Sequence, residues 1–140
     1  MPARKVFFKR RFPSTFEEMS SVLRSALAAL SERDFIAPGE EFYARLCLEE
    51  ALVNGIQHGN HGDKGRHVSL EISEEDDTCR ISVCDEGEGF CTEDISVPEC
   101  SRKGGRGLCL IKHFMDHVEF DRARNCFEMA FRRKTLNKGG

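Results

Sequence analysis

The chain has 140 residues, of which 39% are hydrophobic and 32% are charged, with a formal net charge of -3. A chain of this size buries one compact core, so we expect a single domain over residues 1–140. The acidic balance excludes the general basic field that binds nucleic acid.

The seven cysteines and the lack of a long apolar segment indicate the compartment. Their number is odd and no C-x-x-C pair occurs, so we expect reduced thiols and no disulfide framework or zinc site. Arg24 interrupts the most apolar stretch, which is too short for a signal peptide or a membrane span. We therefore predict a soluble cytoplasmic protein.

The first part of the chain predicts an edge strand followed by an amphipathic helix. Residues 4–12 combine β-forming residues with charges at both ends, which is typical of a strand at a sheet edge. Ser14 and Glu17 have the spacing of a capping box, and apolar residues then recur at helical intervals to about residue 32. We interpret this helix as scaffold.

A second helix is predicted over about residues 40–58, and it contains the first candidate site residues. Glu50 and Asn54 lie one turn apart on one side, and an apolar stripe of Leu48, Leu52 and Ile56 lies roughly opposite. Surface residues can also fall at this spacing by chance. Gly55 costs about 1 kcal/mol relative to alanine in a helix, a cost more easily tolerated where a ligand or a strand approaches the backbone.

Turn residues follow at 58–65, and a hairpin comes next. His58, His61 and His67 lack carboxylate or cysteine partners at a recognised metal spacing, so we interpret them as loop histidines. Residues 68–72 and 79–83 alternate between apolar and polar around an acidic turn, as in a hairpin with one buried face. The second strand leads into Asp85, in a D-x-G-x-G sequence that an ordinary glycine turn would also explain.

The last third combines a long irregular loop, a glycine-rich turn and a second hairpin. Loops like residues 91–103 are lids, binding segments or disordered. The turn before the apolar helix at 108–115 offers backbone N–H groups and basic side chains to a phosphate, although a flexible hinge has equal weight. Residues 118–120 and 127–131 predict two final strands, and 134–140 predict a flexible basic tail.

Three segments in this order resemble a known family: EALVNGIQHGN, DEGEGF and GGRGLCLIKHFMDHVEF. Together they resemble the ATP-binding domain shared by gyrase-type ATPases, histidine kinases, MutL-like proteins and a class of heat-shock chaperones. The short form of the domain looks most like the bacterial anti-sigma-factor serine/threonine kinases of partner-switching pathways. The resemblance implies an α+β fold, an α/β sandwich with helices on one face of a mixed, largely antiparallel sheet, called the Bergerat or histidine-kinase-like ATPase fold. It also implies an ATP lid, which we place at residues 90–104.

The resemblance carries roles to individual residues. Glu50 resembles the general base, Asn54 the ligand to Mg²⁺, and Asp85 the carboxylate that accepts a hydrogen bond from the adenine amino group. Arg106 is expected to contact a phosphate. The glycines of the purine pocket correspond to Gly87 and Gly89, and those of the phosphate-binding turn to Gly105 and Gly107.

The implied function is an ATP-dependent serine/threonine kinase that also sequesters a sigma factor. Its phosphoacceptor would be a small anti-anti-sigma protein, and the family's members are commonly homodimers, with the first strand as one possible contact. Direct contact with nucleic acid or membrane is not expected. The alternative is a nucleotide-regulated binding module with little or no kinase activity and a partner other than a sigma factor. A histidine kinase ATPase region is disfavoured, since 140 residues leave no room for a phosphoacceptor hairpin.

Two positions depart from the family's usual pattern. Gly55 stands where alanine is usual, and Asn125 with Cys126 stands where many relatives have glycine and threonine. We expect the first to alter helix stability and the second to remove a minor nucleotide contact.

Overall fold

In the part of the chain that the structure describes, a five-stranded sheet packs against two long helices. The computed structural model describes residues 4–87, 111–121 and 123–133. The strands are β1 (Lys5–Pro13), β2 (His67–Glu75), β3 (Thr78–Cys84), β4 (His117–Asp121) and β5 (Cys126–Arg132), and the helices are α1 (Phe16–Glu32) and α2 (Glu41–Asn54). The strand order is β1-β2-β3-β5-β4, so β1 lies at an edge as predicted. All four pairings between these strands are antiparallel. The predicted α/β sandwich with a largely antiparallel sheet is confirmed.

Both predicted hairpins are present. The β2–β3 connection is a two-residue turn in which Asp76 and Asp77 have φ of 53° and 67°. Positive φ at both central residues is typical of a type I′ turn, whose twist suits an antiparallel pair, and aspartate tolerates it better than most residues. β4 and β5 form the second hairpin at the other edge of the sheet.

The start of α1 differs from the predicted capping box. Thr15 is the N-cap, and its side chain accepts a hydrogen bond from the backbone N–H of Glu18. Ser14 is only 3% exposed and donates its hydroxyl to the backbone oxygen of Arg66 at 2.8 Å. The prediction of a box formed by Ser14 and Glu17 is therefore wrong by one residue, because a tertiary contact takes the serine hydroxyl.

The core lies between the sheet and the helices. The apolar stripe predicted on α2 is buried, and its members are Leu48, Leu52 and Ile56. α2 ends at Asn54 and continues into a π-helical turn, Gly55–Gly59, which agrees with a predicted helix to about residue 58. Among the described residues, none of the helices is long and apolar enough to span a membrane.

An ionic cluster joins the C-terminal end of α1, the β2–β3 turn and the residue that follows β5. The guanidinium of Arg133, only 16% exposed, pairs with Glu74 at 3.4 Å and with Asp77 at 3.2 Å. It also lies 4.0 Å from the ring centroid of Phe35 and donates to the backbone oxygen of Arg33. This cluster joins elements that are distant in sequence.

A disulfide between Cys84 and Cys126 corrects the expectation that all the cysteines are reduced. The two residues face each other where β3 pairs with β5, with their Cα atoms 4.0 Å apart. Directly opposite residues in an antiparallel pair bring their side chains together, which spacing along the chain does not reveal. Cys47 and Cys79 are buried thiols outside this disulfide.

Candidate functional site

The C-terminal end of α2 and the turn that follows it pack closely on the end of β3, and Gly59 allows the closest approach. A Cβ atom at Gly55 would lie 3.5 Å from a methyl group of Val83, which is ordinary van der Waals contact. A Cβ atom at Gly59 would overlap the carboxyl group of Asp85. Val83 belongs to β3, and Asp85 directly follows that strand. The turn after α2 thus lies directly against the first residue of the D-x-G sequence.

The Asp85 carboxylate is held by a compact turn. Its Oδ1 accepts a hydrogen bond from the N–H of Gly87 at 2.8 Å, and its own N–H donates to the backbone oxygen of Asn125 at 3.1 Å. The side chain of Asn125 in turn donates to the backbone oxygen of Gly87. Within residues 4–87, 111–121 and 123–133, no donor reaches Oδ2 of Asp85. One carboxylate oxygen shapes the turn, and the other lies against Gly59.

The position of Gly87 also leaves no room for a side chain. A Cβ atom there would overlap the backbone oxygen of Gly59. The two glycines therefore place two backbone segments in direct contact beside Asp85.

The environment of Asp85 changes its acidity. Burial raises the pKa of Asp85 above its usual value, and this effect exceeds the lowering by the Gly87 N–H and by the charges of Arg66 and His61. The neighbouring Glu86 is exposed, and its hydrogen bond from the N–H of His67 lowers its pKa. The pKa values of these two adjacent carboxyl groups are thus shifted in opposite directions.

Glu50 and Asn54 lie on α2, one turn apart, on the approach to this turn. Glu50 is half-buried, and Asn54 is only 8% exposed. Among the described residues, none forms a hydrogen bond with the Asn54 carboxamide. A carboxamide offers one acceptor oxygen and two donor N–H groups, so either atom of the Asn54 amide suits a polar ligand.

Four of the predicted site residues lie outside the described residues. They are Gly89, Gly105, Arg106 and Gly107. The predicted lid at 90–104 and the predicted tail at 134–140 also lie outside them. These assignments stay predictions.

The sequence interpretation missed Gly59 and Asn60 and gave Asn125 no structural role. The helical spacing of Gly55 and Gly59 was a usable signal, since glycines four residues apart leave one helix face without side chains. Asn125 has φ of 55°, a conformation favoured by glycine and tolerated by asparagine. Asparagine can therefore stand at a position whose backbone would also suit glycine. Nothing in the sequence marked the buried Asn60.

Comparison with known proteins agrees with this geometry. The sequence model of one family, described as a histidine kinase-like ATPase domain, matches residues 12–131. The anti-sigma F factor of Oceanobacillus iheyensis is 34% identical, over 67% of this chain and 68% of that protein. The serine-protein kinase RsbW of Bacillus subtilis is 28% identical, over 72% of this chain and 69% of that protein. The anti-sigma F factor of Geobacillus stearothermophilus is 30% identical, over 75% and 76% of the two chains. The chain belongs to the histidine kinase-like ATPase domain family, together with anti-sigma F factors and RsbW kinases.

Proposed function

We propose that the chain is an ATP-dependent serine/threonine kinase that also acts as an anti-sigma factor in a partner-switching pathway. Its similarity to anti-sigma F factors and to the serine-protein kinase RsbW supports both activities. The structural observation that carries the proposal is the contact between Asp85 and the turn after α2, the helix that also contains Glu50 and Asn54. One helix thus links a candidate base-recognition carboxylate to candidate groups for phosphoryl transfer.

In this proposal, Asp85 recognises the adenine. Its Oδ2 would accept a hydrogen bond from the exocyclic amino group, while Oδ1 stays on the N–H of Gly87. Guanine presents an oxygen at the corresponding position, which an ionised carboxylate repels. Gly87 and Gly89 would line the purine pocket. Gly105, Gly107 and Arg106 would contact the phosphates from the predicted turn after the lid.

The residues of α2 suit Mg²⁺ and a proton transfer. Asn54 offers a carboxamide oxygen, which is a ligand type that Mg²⁺ accepts alongside its waters and phosphate oxygens. When bound, the ion would neutralise phosphate charge. Glu50 would take the proton from the acceptor hydroxyl. At the same time the hydroxyl oxygen would bond to the γ-phosphorus, and the bond between the γ-phosphorus and the leaving oxygen of ADP would break. The products are a phosphorylated serine or threonine and ADP.

The partners follow from the similarity to proteins named anti-sigma factors. The acceptor would be a small anti-anti-sigma protein, and the other partner would be a sigma factor, both in the cytoplasm. A phosphate adds negative charge to the acceptor, which weakens its docking and leaves this protein free to bind the sigma factor. We also propose a homodimer, for which the exposed edge of β1 offers unpaired backbone groups.

The test is phosphoryl transfer from γ-labelled ATP to the small anti-anti-sigma proteins encoded in the same genome. Glu50→Gln should keep ATP affinity and lower transfer by about 10²–10⁴-fold. Glu49→Gln is the matched control, since Glu49 is the adjacent half-buried carboxylate on the same helix. Transfer at the wild-type rate by Glu50→Gln would exclude it as the base. ATP binding without transfer to any acceptor would favour the alternative, a nucleotide-regulated binding module.

A further inference from the structure

Asn60 is a fully buried polar residue where three segments of the chain meet. It follows the π-helical turn and is 0% exposed. Its amide nitrogen donates to the hydroxyl of Ser14 at 2.8 Å and to the backbone oxygen of His67 at 3.0 Å. Its amide oxygen accepts from the N–H of Glu86 at 2.8 Å. Both N–H groups and the oxygen are therefore engaged by the protein, so Asn60 has no direct role in ligand binding.

Asn60, Glu86 and His67 form a closed ring of hydrogen bonds. The N–H of Glu86 donates to Asn60, the N–H of His67 donates to the Glu86 carboxylate at 2.6 Å, and Asn60 donates to the oxygen of His67. The neighbours also fix the orientation of the amide, since a backbone N–H only donates and a backbone oxygen only accepts. A closed network of this kind loses more than one interaction when one member is removed.

The ring of hydrogen bonds constrains Asp85, the residue that precedes Glu86. The N–H that Asn60 holds belongs to the peptide group between Asp85 and Glu86, so this bond sets the plane of that peptide. On its other side, Asp85 is held by Asn125. The bond to Asn60 therefore connects the Asp85 turn to the end of α2, in addition to the packing against Gly59.

We infer that Asn60 is a positioning residue, which orients Asp85 so that its carboxylate selects adenine over guanine. This inference rests on the proposed ATP site. A carboxylate discriminates between the two bases only when its oxygen meets the amino group at hydrogen-bond distance and angle. Loss of the Asn60 bond should therefore lower the preference for ATP over GTP more than it lowers affinity for the shared triphosphate.

The experiment measures calorimetric affinities for ATP and GTP, with Mg²⁺, for the wild type and three variants. Asn60→Ala removes the acceptor for the Glu86 N–H. Asn60→Asp keeps an acceptor oxygen there but loses the donors. Ser14→Ala is the control, because it removes two buried hydrogen bonds of the same cluster and leaves the bond between Glu86 and Asn60 in place.

We expect Asn60→Ala to lower the ratio of ATP to GTP affinity by about tenfold, the effect of one well-aligned hydrogen bond. Ser14→Ala should keep the ratio within about twofold, and Asn60→Asp should restore most of it. The ratio cancels changes in general stability and in repulsion of the phosphates. An unchanged ratio in Asn60→Ala, or an equal loss in Ser14→Ala, would overturn the inference.

Two further results separate the possible failures. If the wild type does not bind ATP, the proposed function fails and the inference fails with it. If the wild type prefers ATP and Asp85→Asn loses that preference while Asn60→Ala keeps it, only the inference fails. Should Asn60→Ala not fold, amide hydrogen exchange of the wild type decides. The Glu86 N–H should be protected without nucleotide, and exchange at the rate of an unstructured amide would overturn the positioning role.

Discussion

Gly55→Ala should stabilise the protein, and the structure gives the size of the effect. Gly55 has φ of -64° and ψ of -41°, which alanine adopts without strain. Alanine is favoured over glycine in a helix by about 1 kcal/mol. The added methyl would lie 3.5 Å from Val83 and 3.6 Å from Val68, in ordinary contact, and its burial contributes up to about 0.8 kcal/mol. We therefore expect the free energy of unfolding to rise by about 1–2 kcal/mol.

Urea denaturation with matched variants tests this estimate. At a slope of about 2 kcal/mol per molar urea, the midpoint of Gly55→Ala should rise by about 0.5–1 M with an unchanged slope. Gly39→Ala is the control, because no atom lies within 4 Å of its added Cβ, and we expect a change within about 0.5 kcal/mol. Gly59→Ala should lose about 1–3 kcal/mol and weaken ATP binding, since its methyl would displace the Asp85 carboxylate. A fall in stability for Gly55→Ala would refute the packing described for α2 on the sheet.

Three further predictions concern charge and covalent links. Burial raises the pKa of Asp85, so ionisation of this carboxyl group destabilises the folded state as pH rises through that pKa. Asp85→Asn should therefore raise the melting temperature at pH 7 more than at pH 4. An equal gain at both pH values would contradict this reasoning. Reduction of the Cys84–Cys126 disulfide, which spans 42 residues, should lower the free energy of unfolding by about 2–4 kcal/mol. The melting temperature should therefore fall with reductant in the wild type but not in a variant with serine at both positions. Absence of the cross-linked peptide from a non-reduced digest would exclude that disulfide. Arg133→Ala should cost about 2–4 kcal/mol in urea denaturation. Arg124→Ala should cost less than about 1 kcal/mol, because the Arg124 side chain is 55% exposed. Similar losses in the two variants would contradict the ionic cluster.

The sequence was sufficient to predict the two hairpins and the two long helices of the described residues, because their signals are local. Alternation of apolar and polar residues marked both hairpins, and the helical recurrence of Leu48, Leu52 and Ile56 marked the buried face of α2. Strand order is a different matter, since β5 lies between β3 and β4. No local signal in the chain specifies that arrangement.

The parts that could not be predicted depend on contacts between distant residues. Ser14 has the sequence of a helix cap, yet it hydrogen-bonds to Arg66 and Asn60 because the fold brings β1 beside the turn after α2. Cys84 and Cys126 meet only through the register of β3 on β5. For the same reason, Asp85 could be identified from its motif, whereas its contact with Gly59 required the folded chain.

The most direct test of the proposed ATP site is calorimetric titration of the purified protein with ATP, with and without Mg²⁺. The wild type should bind ATP, and Mg²⁺ should strengthen the binding in the wild type but not in Asn54→Ala. Asp85→Asn should weaken binding by about tenfold or more, the effect of losing an interaction with a charged acceptor. Failure of the wild type to bind ATP, or equal affinity in Asp85→Asn, would contradict the placement of the adenine site at the end of β3.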